Sequence, residues 1–202
     1  MMESGSSCVL CLASASPRRR DLLASIGVRV SILPSHVDET PSPGESASAY
    51  VKRLAVAKAT AAMSKTSLPT LGSDTAVVVD GAILGKPADA QEAATMLRRL
   101  SGRSHQVMTA VAVTGPQGVL CSIVTTDVIM REITAQEIAD YWLTGEPADK
   151  AGGYAIQGLA AIFVEEIKGS HSAVVGLPLY ETAQLLQQQG VPIWMGHYYS
   201  HT

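Results

Sequence analysis

The stretch "LGSDTAVVVDGAILGKP", residues 71–87, constrains the fold more than any other. Two apolar runs meet at Asp80-Gly81, and an Asp-Gly joint between such runs selects a tight hairpin turn. A hairpin forces antiparallel pairing, so the sheet of this chain cannot be wholly parallel. With Asp80 and Gly81 in the turn, Val79 faces Ala82, Val77 faces Leu84 and Thr75 faces Lys86. Asp74 then lies at the mouth of the hairpin, close to Lys86. A slip of one residue would turn these side chains to the other face. An acid beside an ammonium has two readings. One is a structural ion pair. The other is a carboxylate that holds a divalent cation or orients a water, next to a cation that neutralises phosphate charge.

Around the hairpin, strands and helices alternate. A strand is expected at 8–13, a helix at 17–26 closed by Gly27, and a strand near 28–33. The loop "ETPSPGES" at 39–46 leads into a helix at about 46–64, starting near Ser46 or Ser48. After the hairpin, Asp89 and Glu92 open a helix that ends before Gly102. Strands at about 105–113 and 119–131 flank "TGPQG", and Thr134 with Glu137 opens a helix to about Leu143. "AAIFVEEI" and "SAVVG" read as a further strand pair, and "LPLYETAQLLQQQ" as the last helix, closed by Gly190. The tail "VPIWMGHYYSHT" carries no clear pattern. No internal repeat is visible. The fold class is therefore α/β, with a mixed, largely antiparallel twisted sheet flanked by helices. At 202 residues and 47% hydrophobic content, the chain can bury a sizeable core.

The net charge of −3 argues against a partner that is a nucleic-acid polymer. Cys8, Cys11 and Cys121 form no disulfide framework. Cys8 and Cys11 spell C-x-x-C, but on a strand residues three apart point to opposite faces, which suits neither a redox pair nor zinc. No apolar run reaches the length of a membrane span, and "MMESGSS" lacks the basic region of a secretory signal. A cytoplasmic setting is expected.

"LASASPRRRDLL", residues 12–23, sets three arginines at a helix start. Ser16 suits the N-cap and Pro17 the first helical position. Arg18 and Arg19 in the first turn oppose the helix dipole by a few tenths to about 1 kcal/mol each. The cost turns into a gain if a multiply charged anion sits there, since free backbone N–H groups already point at that place. Ser14 and Ser16 add hydroxyls, and guanidinium forks match phosphate oxygens. Arg20 reads as a solvated surface residue. Asp38 and Glu39 in "HVDET" are further oxygen donors on a loop. Of Lys52, Arg53 and Lys58 on the next helix, one is expected to face a ligand and the others water. His36, His105 and His171 read as ordinary loop or strand-start residues, and His197 and His201 lie in an aromatic tail without another ligand type. Trp142, Met96 and Leu97 read as core positions.

Together these residues resemble the Maf family of nucleoside triphosphate pyrophosphatases. The resemblance rests on "LASASPRRRDLL", "VDET", "YVKRLAVAKA", "LGSDTAVVVDGAILGKP", "RLSGRSHQVMTAVAV", "EPADKAGGYAIQG" and "VVGLPLYET", in that order along the chain. It implies a Maf/Ham1-like fold of two lobes around a central cleft. Residues 1–202 would form one unit, with a core at about 8–189 and a variable tail at 190–202. It also implies hydrolysis of a nucleoside triphosphate to the monophosphate and pyrophosphate with a divalent metal cation, Mg²⁺ or Mn²⁺. Asp74 matches the catalytic acid and proton acceptor, and with Glu39 would hold the metal. Lys86 and Glu39 match cleft positions of the family, and Lys86 is expected to act as a catalytic cation that meets the charge growing on pyrophosphate. Arg18, Thr75 and Gln157 match substrate-selecting positions, and Ser14, Arg19 and Lys58 other cleft positions.

"DKAGGYAIQG" resembles the branch that acts on dTTP and UTP. The branch acting on 7-methyl-GTP has a small residue where Lys150 stands and Glu where Gln157 stands. One Gln amide can meet both the carbonyl and the N3–H of thymine or uracil. Gly152-Gly153 would let the backbone approach closely. The resemblance leaves open a pyrophosphatase for 7-methyl-GTP or other modified purine nucleotides, or a non-catalytic nucleotide-binding regulator of septum formation. It admits a homodimer; no membrane partner is expected, since no apolar run is long enough to span one.

Overall fold

The structure, a computed structural model, describes residues 7–194. The segment 1–6 and the part of the tail that carries His197 and His201 lie outside the described residues. Seven strands form one mixed sheet: β1 (Leu10–Leu12), β2 (Val30–Ile32), β3 (Thr70–Val79), β4 (Ala82–Leu84), β5 (Ser104–Gly115), β6 (Gly118–Met130) and β7 (Val164–Lys168). Their order is β2-β1-β3-β5-β6-β7, with β4 also beside β3. β1 runs parallel to β2 and β3, and the other pairs are antiparallel. The helices are α1 (Pro17–Ser25), α2 (Ala47–Met63), α3 (Ala90–Leu100), α4 (Ala135–Leu143), α5 (His171–Val175) and α6 (Leu179–Gln188). Among the described residues no helix is long and apolar enough to cross a membrane.

The hairpin has the expected register, Val79 opposite Ala82 and Val77 opposite Leu84, with Asp80 at φ 52° and Gly81 at φ 74°. Both turn residues take the left-handed values that a tight two-residue hairpin demands. β4 ends at Leu84, however, so Lys86 lies beyond the ladder rather than across from Thr75. Three N-caps follow the sequence signals. The Ser46 side chain accepts from Ala49 N, Asp89 from Glu92 N, and Thr134 forms a reciprocal box with Glu137.

Three further expectations are corrected. "SAVVG" is not a strand: α5 is capped at its start by Ser170, whose Oγ accepts from Ala173 N at 3.2 Å, and at its end by Gly176, φ 129°. A short run of small and β-branched residues fits a strand or a buried helical turn, and this one has a cap at each end. "AAIF" lies wholly in a 3-10 turn at Leu159–Phe163, and only "VEEI" is in a strand, β7, which pairs with β6 instead. Trp142 is half-buried, whereas its neighbour Tyr141 is the core residue; Met96 and Leu97 are buried as expected.

Packing sets the site. On one face of β3, Gly72, Asp74, Ala76 and Val78 look toward α2, whose Val51, Ala55 and Ala59 pack on Ala76, Ala110 and Ala112. Small residues on both sides let the helix lie close. At Gly72 the approach is tightest: a Cβ there would fall 2.5 Å from Ala59 N and closer still to Ala55 O. On the other face lie two apolar clusters. One gathers Leu10, Leu12, Leu23, Leu71 and Leu186 around α1 and α6. The second gathers Val77, Leu84, Leu97, Tyr141, Tyr154 and Phe163 around α3 and α4. Buried Ser73 and Thr109 lie between them. β1 pairs with β3 only at Thr70 and Leu71, and β4 only at Val77–Val79. Between those ladders the β3 edge has no strand partner, and Asp74 and Thr75 sit in that gap.

Candidate active site

A cavity of about 730 Å³ opens at this gap, lined by both turns that flank it and by the loops above. It brings together the residues matched to site roles, Ser14, Arg18, Arg19, Glu39, Lys58, Asp74, Thr75, Lys86 and Gln157, but not Asp38, Lys52 or Arg53.

At one end, α1 presents an uncapped N-terminus. Ser16 occupies the N-cap position but its side chain makes no capping bond, a departure from the expected cap. Its amide instead donates to Ser14 Oγ at 3.2 Å. The first-turn amides are left for a ligand. Fully buried Leu23 anchors the helix through the neighbouring cluster, which contributes about 1.5–3 kcal/mol. Arg18 lines the cavity, while Arg20 is exposed and paired with Asp21 at 3.0 Å. Arg19 is clamped: its Nε donates to Gly176 O at 2.9 Å and its Nη1 to Ser14 Oγ at 3.2 Å. Ser73 Oγ donates to the same carbonyl at 3.0 Å. Burial pulls the Arg19 guanidinium below its usual range, partly opposed by the charge of Asp74. α5 thus supports Arg19. Reading "SAVVG" as a strand hid this role, because the contact is made by a backbone carbonyl 157 residues away in the chain.

Asp74 is 8% exposed. Its Oδ1 accepts from Lys58 Nζ at 2.7 Å, and the same ammonium lies 2.6 Å from Glu39 Oε1. The ion-pair partner of Asp74 is therefore Lys58 and not Lys86, which is exposed on the cavity rim. The close seat of α2 on Gly72 explains the exchange, since it brings Lys58 over the face that Asp74 occupies. Burial pushes the Asp74 carboxyl up, and Lys58 pulls it back only in part. For Glu39 burial also pushes up, but the hydrogen bond and charge of Lys58 outweigh it and hold the group below its ordinary value. Tyr50 steadies this loop by donating to Glu39 O at 3.0 Å. Lys52 is exposed, and Arg53 is engaged by Glu45 through two contacts of 2.7 Å. Asp38 is exposed and bonded to Thr40 N at 2.9 Å.

Thr75 Oγ1 lies 3.0 Å from Thr109 Oγ1, and Thr109 donates to Ala173 O at 2.7 Å. With the Thr109 proton so used, Thr75 donates to Thr109 and offers its lone pairs to the cavity. The turn that carries Gln157 also lines the cavity, and Gln157 is exposed there. Gly152 and Gly153, at φ 69° and 72°, bring this segment against the hairpin, where Gly152 N donates to Gly85 O at 2.9 Å. A Cβ on Gly152 would strike the Val77 side chain. Lys150 pairs with Asp149 beside it. Behind the turn, Tyr154 Oη and His105 Nε2 are 2.7 Å apart, a buried pair that the sequence did not suggest. Burial pulls His105 down to about 4.

Among the described residues no cluster of three or more His, Cys, Asp or Glu side chains could enclose a metal. Asp74 and Glu39, gathered by one ammonium, are a two-carboxylate donor set. Such a set suits a hard cation that takes its other ligands from phosphate and water. Cys8 is exposed and Cys11 buried, both free.

A buried carboxylate beside guanidinium and ammonium groups, in a gap of a mixed α/β sheet, defines a protein built to handle a polyanion next to an acid. The chain belongs to the Maf family: residues 9–189 match the Maf-like protein. It is 55% identical over 190 residues to a dTTP/UTP pyrophosphatase of Saccharophagus degradans, covering 92% of this chain and 90% of that one. A dTTP/UTP pyrophosphatase of Hahella chejuensis is 51% identical over 191 residues, covering 92% and 94%. A solved HAM1 protein from Coxiella burnetii shares the fold, with a TM-score of 0.50 at 19% identity over 89% of this chain and 98% of that one.

Proposed function

We propose that the protein hydrolyses dTTP and UTP to the nucleoside monophosphate and pyrophosphate in this cleft. One observation carries the reading: a single cavity is lined by Arg18, Arg19, Lys58, the buried acid Asp74 and the turn that bears the Gln157 amide. Its volume, about 730 Å³, suits a nucleotide. Relatives of 51–55% identity named for this activity support it.

The triphosphate lies across the start of α1, held by Arg18, Arg19, Ser14 and the free amides. Asp74 and Glu39 would hold Mg²⁺ or Mn²⁺, which when bound neutralises phosphate charge. Asp74 takes a proton from the water that attacks the α-phosphorus. The new P–O bond forms as the bond to the β-phosphate bridging oxygen breaks. A raised carboxyl is a better base than an exposed one, so burial favours this role. Lys86, Lys58 and Arg19 meet the charge that grows on pyrophosphate. Most of the acceleration is positional and electrostatic. The Gln157 amide accepts from N3–H and donates to the carbonyl of thymine or uracil. The two apolar clusters that flank the gap are read as the two lobes of one unit.

A panel of dTTP, UTP, GTP and 7-methyl-GTP, with products identified, tests the reading. Pyrophosphate and monophosphate should appear, fastest from the pyrimidine nucleotides. Orthophosphate release, or preference for 7-methyl-GTP, would overturn it. Binding without turnover would favour a regulator.

A further inference from the structure

We propose that Tyr141 and Glu146 are positioning residues that fix how far the Gln157 turn reaches into the cleft, and so the size of base it admits. The proposal rests on reading Gln157 as the group that meets the base. The turn at 155–160 belongs to no strand, so its amides must be satisfied by other means. Gly158 N donates to Ala155 O within the turn at 3.0 Å, and two side chains outside it serve Ala155, Leu159 and Ala160. Tyr141 Oη accepts from Ala155 N at 3.3 Å and donates to Glu146 Oε1 at 2.6 Å. Glu146 Oε2 accepts from Leu159 N at 3.0 Å, and Oε1 from Ala160 N at 3.3 Å. One phenol and one carboxylate therefore hold both ends of the turn, and Gln157 rides between them.

Gly158 fits the same device. Its φ of −110° lies outside the left-handed region. Proximity requires glycine there: a Cβ would lie 2.6 Å from the Glu146 carboxylate carbon. Tyr141 is 4% exposed, with its ring edge-on to Phe163 at 5.5 Å. Tyr141→Phe thus keeps the packing and removes only the hydroxyl. In the proposed pose the start of α1 holds the triphosphate, so the position of the Gln157 turn, which lines the same cavity, sets the space left for a base. A loosened turn retreats, which weakens a pyrimidine more than a larger purine.

The test is steady-state kinetics with UTP and GTP on the wild type, Tyr141→Phe, Glu146→Gln, Gly158→Ala and Gln157→Ala. The three positioning variants should raise the KM for UTP about tenfold, as for loss of a charge-assisted hydrogen bond, with kcat within about twofold. GTP should be affected less, so the UTP-to-GTP ratio of kcat/KM falls. General damage to the fold would lower kcat for both nucleotides and leave the ratio alone. If Gln157→Ala lowers the ratio and all three positioning variants keep the wild-type value, the positioning role is overturned. If Gln157→Ala also leaves the ratio unchanged, the base-facing reading fails and this proposal with it.

Discussion

At the cationic end of the cleft, Arg19, Lys58 and Asp74 project from α1, the 17-residue α2 and β3. At the opposite end, Gln157 rides on a turn held by two side chains and hemmed by 3-10 segments. The first end depends on how regular elements pack, and the second on a few hydrogen bonds between distant side chains and backbone. Damage at the first should therefore stop chemistry or unfold the protein. Damage at the second should change which nucleotide is used.

The sharpest separation comes from Asp74→Asn. It should lower turnover of UTP and GTP alike by about 10³-fold or more, with thermal unfolding still cooperative. Near-normal turnover would erase the distinction between the ends. Gly72→Ala comes next. It drives α2 off β3, so unfolding should show a loss of about 3 kcal/mol, and any folded fraction should turn over slowly because Lys58 leaves Asp74. A neutral result in denaturant titration would show that the helix seat is not tight.

His105 sharpens the comparison behind the base end. Its folded value is about 4, against about 6.5 unfolded. Between these values the unfolded chain binds more protons. Stability is therefore full above pH ~6.5, falls as the pH drops toward ~4, and loses at most about 3 kcal/mol. His105→Gln should flatten that slope in pH-dependent unfolding; an unchanged slope would remove His105 as its source. The smallest effect is Gln157→Glu, which should weaken dTTP and UTP about tenfold while sparing kcat. An unchanged nucleotide profile would contradict the base-facing role.

The same contrast governs what could be read from the chain. The hairpin register, the N-caps of α2, α3 and α4, and the basic start of α1 are local devices, and each was legible. Asp74 was legible as a candidate, but its partner was not. The hairpin register pointed to Lys86, and only the packing of α2 on Gly72 brings Lys58 there. α5 was hidden because "SAVVG" is too short for periodicity to separate helix from strand. The anchors Tyr141, Glu146 and His105 were hidden because their partners lie 5 to 49 residues away across loops. Trp142 drew attention by size, while the adjacent Tyr141 faces inward.

The most direct test of the account is the structure of the protein with a UTP analogue whose α–β bridge resists hydrolysis. The account predicts the triphosphate between the α1 start and Asp74, with the base against the Gln157 turn. A triphosphate bound elsewhere, or a nucleotide lying with its base over Arg18 and Arg19, would contradict it.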